Sequence, residues 1–385
     1  MFRPDQMGVY IHWPFCESRC PYCDFNAHVR EGLDQAQWVE AYVQALQHYA
    51  QRIPDRQVVS IFFGGGTPSL MEPQTVARII DTVQSLWPVA NDLEITLEAN
   101  PTSVENDKLI AFKEAGVNRI SLGVQALNDA YLKFFGRGHS VDDALRAIEL
   151  AKTHYARSSF DLIYARPDQT LDDWGRELEQ AITLSNGHLS LYQLTIERNT
   201  PFYMRHSRGE FTIPDDVKGA DFYHLTQDIL EGAGLPSYEV SNHAKAGHEC
   251  RHNLIYWHMA DYIGVGAGAH GRFVQDNHKY ASRDHAAPEI WLERVHKNGH
   301  GAHALEGLTQ DDRFHEALMM GLRLRKGISI AQCETQSGLS FFDMVAQSKM
   351  DTARAEGWII QEGDSIRLTR EGMLRLNVLI PFILK

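Results

Sequence analysis

Three cysteines near the start of the chain, Cys16, Cys20 and Cys23 in "CESRCPYCDFN", follow a C-x3-C-x2-C spacing beside Pro14 and Pro21. Thiolates this close converge on one metal centre if the backbone loops around it, and the two prolines favour a loop. A structural zinc ion would want a fourth ligand, with His12 and His28 nearest, and usually a second C-x2-C pair further on, which the sequence lacks. A four-iron cluster normally takes four cysteines; held by three, it keeps one iron with an open position where a substrate can bind. A second motif, "IFFGGGTPS" from Ile61 to Ser69, runs an apolar stretch into Gly64, Gly65, Gly66, Thr67 and Pro68. Successive glycines let backbone groups approach a ligand closely, although the same composition also makes a tight strand-to-helix turn. No G-K-[ST] follows, so it is not a phosphate-binding loop of the Walker type.

The elements that must position these groups are legible as a repeat. Apolar runs rich in β-branched residues predict strands at Gly8–Trp13, Val58–Phe63, Leu93–Glu98, Asn118–Val124, Ser159–Tyr164 and Leu189–Leu194. Helical periodicity predicts Asp34–Ile53, Pro73–Trp87, Val104–Ala115, Val141–His154 and Leu171–Leu184 between them. Six β/α units in succession call for a parallel sheet with right-handed crossovers, doubly wound or closed wholly or partly into a barrel. The chemistry-bearing residues follow the strands: the glycines after Phe63, Glu98 and Asn100, Gln125, and Asp161 within the fifth. Carboxyl ends of parallel strands build one shared mouth in such folds. Taken singly, Glu98 or Asp161 reads as a loop carboxylate or a helix cap.

Bulk properties narrow the function classes. A chain of 385 residues with 43% hydrophobic and 23% charged residues folds around a large core, with a second, smaller domain expected. A formal charge of −13 argues against nucleic acid or an anionic membrane as the main partner. The N-terminus has no basic segment followed by an apolar run and cleavage site, and "LNVLIPFIL" is far shorter than a bilayer span, so a cytoplasmic protein with no stable membrane span is expected. Five cysteines, an odd number, fit a reducing compartment.

With Tyr22 just before the third cysteine and the glycine motif following, the chain resembles the radical S-adenosylmethionine (SAM) superfamily. The resemblance implies a partial (β/α)6 TIM-like barrel, with Cys16, Cys20 and Cys23 holding a [4Fe-4S] cluster whose open iron takes the amino and carboxylate groups of SAM. An electron donor to the cluster is implied too, since reduction precedes sulfonium cleavage to a 5′-deoxyadenosyl radical. "VYIHWPFC", "LEANP", "SLGVQALND", "FGRGHS" and "FDLIYARPDQT" extend the likeness over most of residues 8–270, to the branch of oxygen-independent coproporphyrinogen III dehydrogenase. By that pattern Tyr10, Gly65, Gly66, Thr67, Glu98, Gln125, Arg137 and Asp161 contact SAM. One departure is "YARPDQ", where relatives usually have Gly-Leu before the proline. The dehydrogenase carries a further cysteine two residues after the third and an N-terminal arm; here Phe25 stands at that position and the cluster begins at residue 16. Both point away from dehydrogenase activity and toward the heme chaperones of the branch, which deliver heme to apoproteins.

The deciding segment is "CRHNLIYWHMADYIGVGAGAHG", whose His252-Asn253-Leu254-Ile255-Tyr256-Trp257 matches the H-N-x-x-Y-W motif of those chaperones. His252 could offer an imidazole to heme iron, with Asn253, Tyr256 and Trp257 around the porphyrin. Without the match, a lone histidine beside aromatics reads as a hydrogen-bonded core residue. Cys250 is a second candidate axial ligand, and His243, His248, Cys250 and His252 a candidate zinc set of no known structural spacing. "GVGAGAHG" lacks the setting of a dinucleotide fingerprint, so its glycines are expected to let backbone pass close to the site. The first domain is expected over 1–275 and a helical, β-hairpin, winged-helix-like domain over 276–385. Its ten Lys/Arg against eleven Asp/Glu from His300 onward favour a covering role over DNA binding. Rival readings are a radical enzyme acting on a tetrapyrrole, as dehydrogenase or methyltransferase, and an Fe–S scaffold without radical chemistry; a homodimer is left open.

Overall fold

The computed structural model describes residues 2–385 apart from the side chains of 103–107, so the start of the helix expected over Val104–Ala115 lies partly outside the described residues. All six expected strands form: β1 (Gln6–Trp13), β2 (Gln57–Gly65), β3 (Val89–Ala99), β4 (Arg119–Gln125), β5 (Arg157–Tyr164) and β6 (His188–Gln193). They alternate with α1 (Gln35–Arg52), α2 (Pro73–Leu86), α3 (Ser103–Glu114), α4 (Val141–His154) and α5 (Leu171–Leu184). Capping boxes at Ser140/Asp143 and Thr170/Asp173 start α4 and α5, each contributing about 1 kcal/mol.

The chain continues through α6 (Asp216–Gly232), β7 (Asn242–Ala244), α7 (Arg251–Trp257), β8 (Asp261–Val265), β9 (His270–Gln275), β10 (His278–Arg283), α8 (Pro288–Asn298) and β11 (Glu306–Gly307). One sheet takes all eleven strands in the order β11-β10-β9-β8-β1-β2-β3-β4-β5-β6-β7. Strands β1 to β6 run parallel, β8 lies parallel beside β1, and antiparallel strands finish both edges. The edges β7 and β11 do not meet, so the barrel is partial and open.

Period-2 alternation divides each parallel strand between two faces. Met7, Val9, Ile11 and Trp13, with Ile61, Phe63, Ile95, Leu97, Ile120, Leu122, Phe160 and Leu162, join the main hydrophobic core with the helices. The intervening residues line the other face and are mostly polar or small: Gly8, Tyr10 and His12, then Ser60 and Gly64, Glu94 and Glu98, Arg119 and Gly123, and Asp161. A face rich in polar side chains, sheltered by strand curvature, is where a polar ligand can be held.

Residue 275, where the first domain was expected to end, is the last residue of β9, and the sheet runs on through a tight hairpin into β10. Asp276 and Asn277 form that turn with φ of 50° and 62°, a conformation Asp and Asn tolerate. Trp291 and Val295 of α8 also belong to the first core; a second core takes in Met259, just after α7, then Phe314 and Leu318 of α9 (Gln310–Gly321), Phe341, Ile366 and Ile383. This C-terminal part holds β12 (Ile328–Ser329), β13 (Ile359–Glu362) and β14 (Ser365–Leu368), ordered β12-β14-β13, with the expected hairpin turning at Gly363. It is fixed to the sheet domain by Arg370 to Asp228 at 2.5 Å, Arg325 to Glu231 at 2.7 Å, and Arg272 to Glu316 at 2.9 Å.

Candidate cluster and cofactor site

Just beyond β1, Phe15 and Cys16 pair in parallel with His28 and Val29, and the loop between the two pairs carries Cys20 and Cys23. All three thiols are free and half-buried. Cys16 Sγ accepts a hydrogen bond from Thr67 Oγ1 at 3.3 Å, and Cys20 Sγ accepts one from Arg137 Nη1 at 3.3 Å. Asn100 joins the two halves: its Nδ2 donates to Thr67 Oγ1 at 3.3 Å, and its Oδ1 accepts from Arg137 Nη2, which also donates to Gly123 O at 2.8 Å. The turn after β2, the end of β3, the end of β4 and the Arg137 loop thus converge on the cysteines. Burial first, then the neighbouring thiols, push Cys16 above its usual range, while the Thr67 hydroxyl pulls it back.

Among the described residues no three His, Cys, Asp or Glu side chains lie close enough to hold a single ion. A cubane distributes its thiolates over different irons, so they stand farther apart than ligands sharing one ion; the three-thiol loop suits a cluster better than zinc. The proposed zinc partners are engaged elsewhere: His12 Nε2 meets Asn26 O at 3.1 Å and His28 Nε2 meets Asn26 Oδ1 at 3.2 Å.

The triple glycine allows close packing as much as exposure. Gly66 N–H donates to Trp13 O at 2.7 Å and Thr67 N–H to Phe15 O at 2.8 Å, locking the turn onto the start of the cysteine loop. A Cβ at Gly66 would stand 2.6 Å from Phe15 O, and one at Gly65, where φ is +113°, 2.6 Å from the His12 ring. "GVGAGAHG" obeys the same constraint: a Cβ at Gly266 would meet His12 O at 2.2 Å and one at Gly268 would meet Asn26 Nδ2 at 2.4 Å. Sequence reasoning did not single out Asn26. Its Nδ2 donates to Ala267 O at 2.8 Å and Ala286 O at 2.9 Å, tying the cysteine loop to that glycine segment.

Behind the loop lie two partly buried carboxyl groups. Glu98 Oε2 accepts from Gly65 N–H at 3.3 Å, yet burial, with repulsion from Asp161 second, pushes its pKa up to about 8. Burial likewise raises Asp161 to about 6, against the pull of Ser190, Arg119 and Arg137. Ionised, both are under-compensated, so a ligand bringing positive charge, such as an ammonium or sulfonium, would be favoured here. Tyr10 OH bonds His12 Nδ1 at 3.0 Å beside them. Gln125 sits where the β4–β5 register shifts and takes φ of +71°, a costly conformation for a non-glycine residue and one typical of ligand sites. The donor set and the positions of Tyr10, Gly65, Gly66, Thr67, Glu98, Gln125, Arg137 and Asp161 around one mouth fit a [4Fe-4S] cluster with SAM.

The heme candidates sit apart. Glu94 accepts backbone N–H groups from Arg251 and His252, both at 3.1 Å, and pairs with Arg157 at 2.7 Å, so α7 is anchored inside the half-barrel. His252 is 1% exposed; its Nδ1 meets Ser60 Oγ at 2.8 Å, its Nε2 meets Tyr256 OH at 2.7 Å, and its ring stacks on Phe62. Burial lowers its pKa to about 3. In this arrangement His252 is a satisfied core histidine with no nitrogen free for iron. Cys250 is buried beside Glu94, and burial raises its thiol to about 12, which keeps it protonated and a poor ligand. Asn253, Tyr256 and Trp257 are half-buried.

Comparison with known proteins identifies the family. A model of the radical SAM superfamily matches residues 10–181, and one of the HemN C-terminal domain matches residues 308–375. The heme chaperone HemW of Escherichia coli is 36% identical over 394 aligned positions that cover 100% of both chains. The chain belongs to the HemW family of the radical SAM superfamily. The bovine mitochondrial radical S-adenosyl methionine domain-containing protein 1 is 37% identical over 98% of this chain and 87% of its own. Among solved structures, the coproporphyrinogen III oxidase HemN of Escherichia coli has the same fold, with a TM-score of 0.82 at 21% identity over 99% of this chain and 90% of that one.

Against the superfamily pattern, this HemW-family chain departs in its "YARPDQ" loop. Ala165 keeps a left-handed backbone, φ +55°, where glycine would sit without strain. The next residue, Arg166, is fully buried, pairs with Glu177 and lies 4.0 Å over the Tyr131 ring. The loop is held by that arginine and not by backbone freedom.

Proposed function

We propose that the chain is a heme chaperone that binds heme and passes it to apoproteins in the cytoplasm, with Cys16, Cys20 and Cys23 carrying a [4Fe-4S] cluster and SAM seated by Tyr10, Gly65, Gly66, Thr67, Glu98, Gln125, Arg137 and Asp161. The observation carrying this reading is end-to-end similarity at 36% identity to a protein named heme chaperone HemW. Phe25, 62% exposed where the dehydrogenase has its extra cysteine, supports it. The cluster, when bound, supplies an electron and an open iron; the chain's own part is to orient it. Thr67 and Arg137 donate to two of its thiolates, and Asn100 fixes both donors. We infer that heme lies against the α7 segment, where Asn253 and Trp257 are half-buried and the His252–Tyr256 bond orders the helix from within.

Hemin titration of the anaerobically reconstituted protein, with and without its cluster, tests the reading: a Soret shift saturating near one equivalent is expected. No hemin binding by the wild type, or conversion of coproporphyrinogen to protoporphyrinogen, would replace the chaperone by a tetrapyrrole enzyme. Cys16→Ser should lower iron content and remove any SAM cleavage.

A further inference from the structure

The H-N-x-x-Y-W residues go to two different places. His252 and Tyr256 bond to each other inside the half-barrel, whereas Trp257, at the end of α7, lines a cleft of about 330 Å³ against the C-terminal part. That volume falls within the range of small-molecule sites. Its other walls are the Glu239–Ser241 loop before β7, Arg323 just after α9, and Met373, Leu374 and Leu376.

Two buried polar atoms in these walls have no hydrogen-bond partner: Trp257 Nε1 and Glu239 Oε2. Glu239 itself is only 2% exposed. Such groups are costly unless something pairs with them. Burial raises the Glu239 carboxyl, against hydrogen bonds from Asn242 and from the Ser241, Asn242 and Val240 backbone that pull it back. Arg323 spends Nη1 on Met319 O at 2.6 Å, while Nη2 has one long contact, 3.4 Å to Asn377 Oδ1. The cleft therefore joins an apolar wall of Trp257, Met373, Leu374 and Leu376 to two donors, Trp257 Nε1 and the Arg323 guanidinium, with Glu239 Oε2 beside them. A flat apolar body bearing carboxylates matches the apolar wall and the Arg323 guanidinium.

We propose that this cleft seats the porphyrin, with the macrocycle against Trp257, Leu374 and Leu376 and a propionate on Arg323. The assignment rests on the heme reading above and moves the contact from the His252 imidazole to the junction of the two parts of the chain. Because both parts line the cleft, the C-terminal module is half of the binding site.

The test is hemin titration of the full-length, cluster-loaded protein against Arg323→Glu and Leu374→Glu. Leu374 is 37% exposed, so its substitution asks no charge to enter the core. Each variant is expected to weaken hemin binding at least tenfold while iron content, circular dichroism and SAM binding stay at wild-type values. Wild-type hemin affinity in both variants overturns the cleft assignment and leaves the chaperone reading standing; no hemin binding by the wild type overturns the chaperone reading itself, and the cleft assignment with it.

Discussion

Replacing Glu98 with glutamine tests the electrostatics of the SAM mouth with one atom changed. The folded carboxyl keeps its proton to about pH 8, whereas its ordinary value is 4.5. Between those values the folded state binds more protons than the unfolded chain, so stability is greatest below pH 4.5 and falls as pH rises toward 8. The gap of about 3.5 pH units, at about 1.4 kcal/mol each, makes the ionised side chain cost about 5 kcal/mol in the empty mouth. A glutamine side chain has nearly the same shape and no charge to desolvate. Urea midpoints of cluster-free protein should therefore show E98Q within about 1 kcal/mol of wild type at pH 5.5 and more stable by roughly 3–5 kcal/mol at pH 9. The same variant should bind SAM more weakly if a cationic group normally sits against that carboxylate. A stability difference between the two proteins that is equal at pH 5.5 and pH 9 would refute the reasoning.

Other substitutions probe single links. Ala165→Gly removes the Cβ from a left-handed residue and should stabilise the protein by about 1 kcal/mol, read as a higher denaturation midpoint with no change in iron content. Tyr256→Phe leaves His252 Nε2 without its partner in a buried site and should cost about 1–3 kcal/mol by urea unfolding; a neutral result would mean that α7 is not held from within. Gly66→Ala drives a Cβ into Phe15 O and should cut reconstituted iron to less than half of wild type, measured against protein by colorimetric assay. Asn26→Ala, which frees the cysteine loop from Ala267 and Ala286, should make the cluster more oxygen-sensitive, followed by bleaching of its visible absorbance in air.

What the sequence made legible were features with a local signature. All six strands could be read from their composition because the face toward the helices is continuously apolar, as for Val9, Ile11 and Trp13 or Ile61 and Phe63. The cysteine spacing and the glycine run named the site because covalent spacing along a loop survives folding. The long-range partners had no such signature. Asn26 serves backbone groups about 240 and 260 positions away, and Asn100 joins Cys16 to Cys20 through Thr67 and Arg137; no periodicity marks either. The boundary expected at residue 275 falls inside a hairpin because turns and domain edges share a polar composition, and only β-pairing on both sides distinguishes them. His252 misled in a related way. An aromatic setting suits a heme ligand and a core histidine equally, and the hydrogen bonds with Ser60 and Tyr256 decide between them.

Two glutamates one helical turn's worth of sequence apart, on the same face of one strand, show which end of the interior awaits a ligand. Burial acts on both in the same direction. At Glu94 it is overcome by Arg119, Arg157 and the N–H groups of Arg251 and His252, and the carboxyl is held below its ordinary range. At Glu98 the counterweights among the described residues are the Gly65 N–H and Arg119, and Asp161 adds repulsion, so burial prevails. A carboxylate that the protein satisfies fully is a structural anchor, here for α7. One left under-compensated, next to a second of the same kind and below three half-buried thiols, destabilises the empty fold and gains when a cation arrives. The chain thus divides one polar face into a closed end that holds the fold and an open end whose charge is balanced by what it binds.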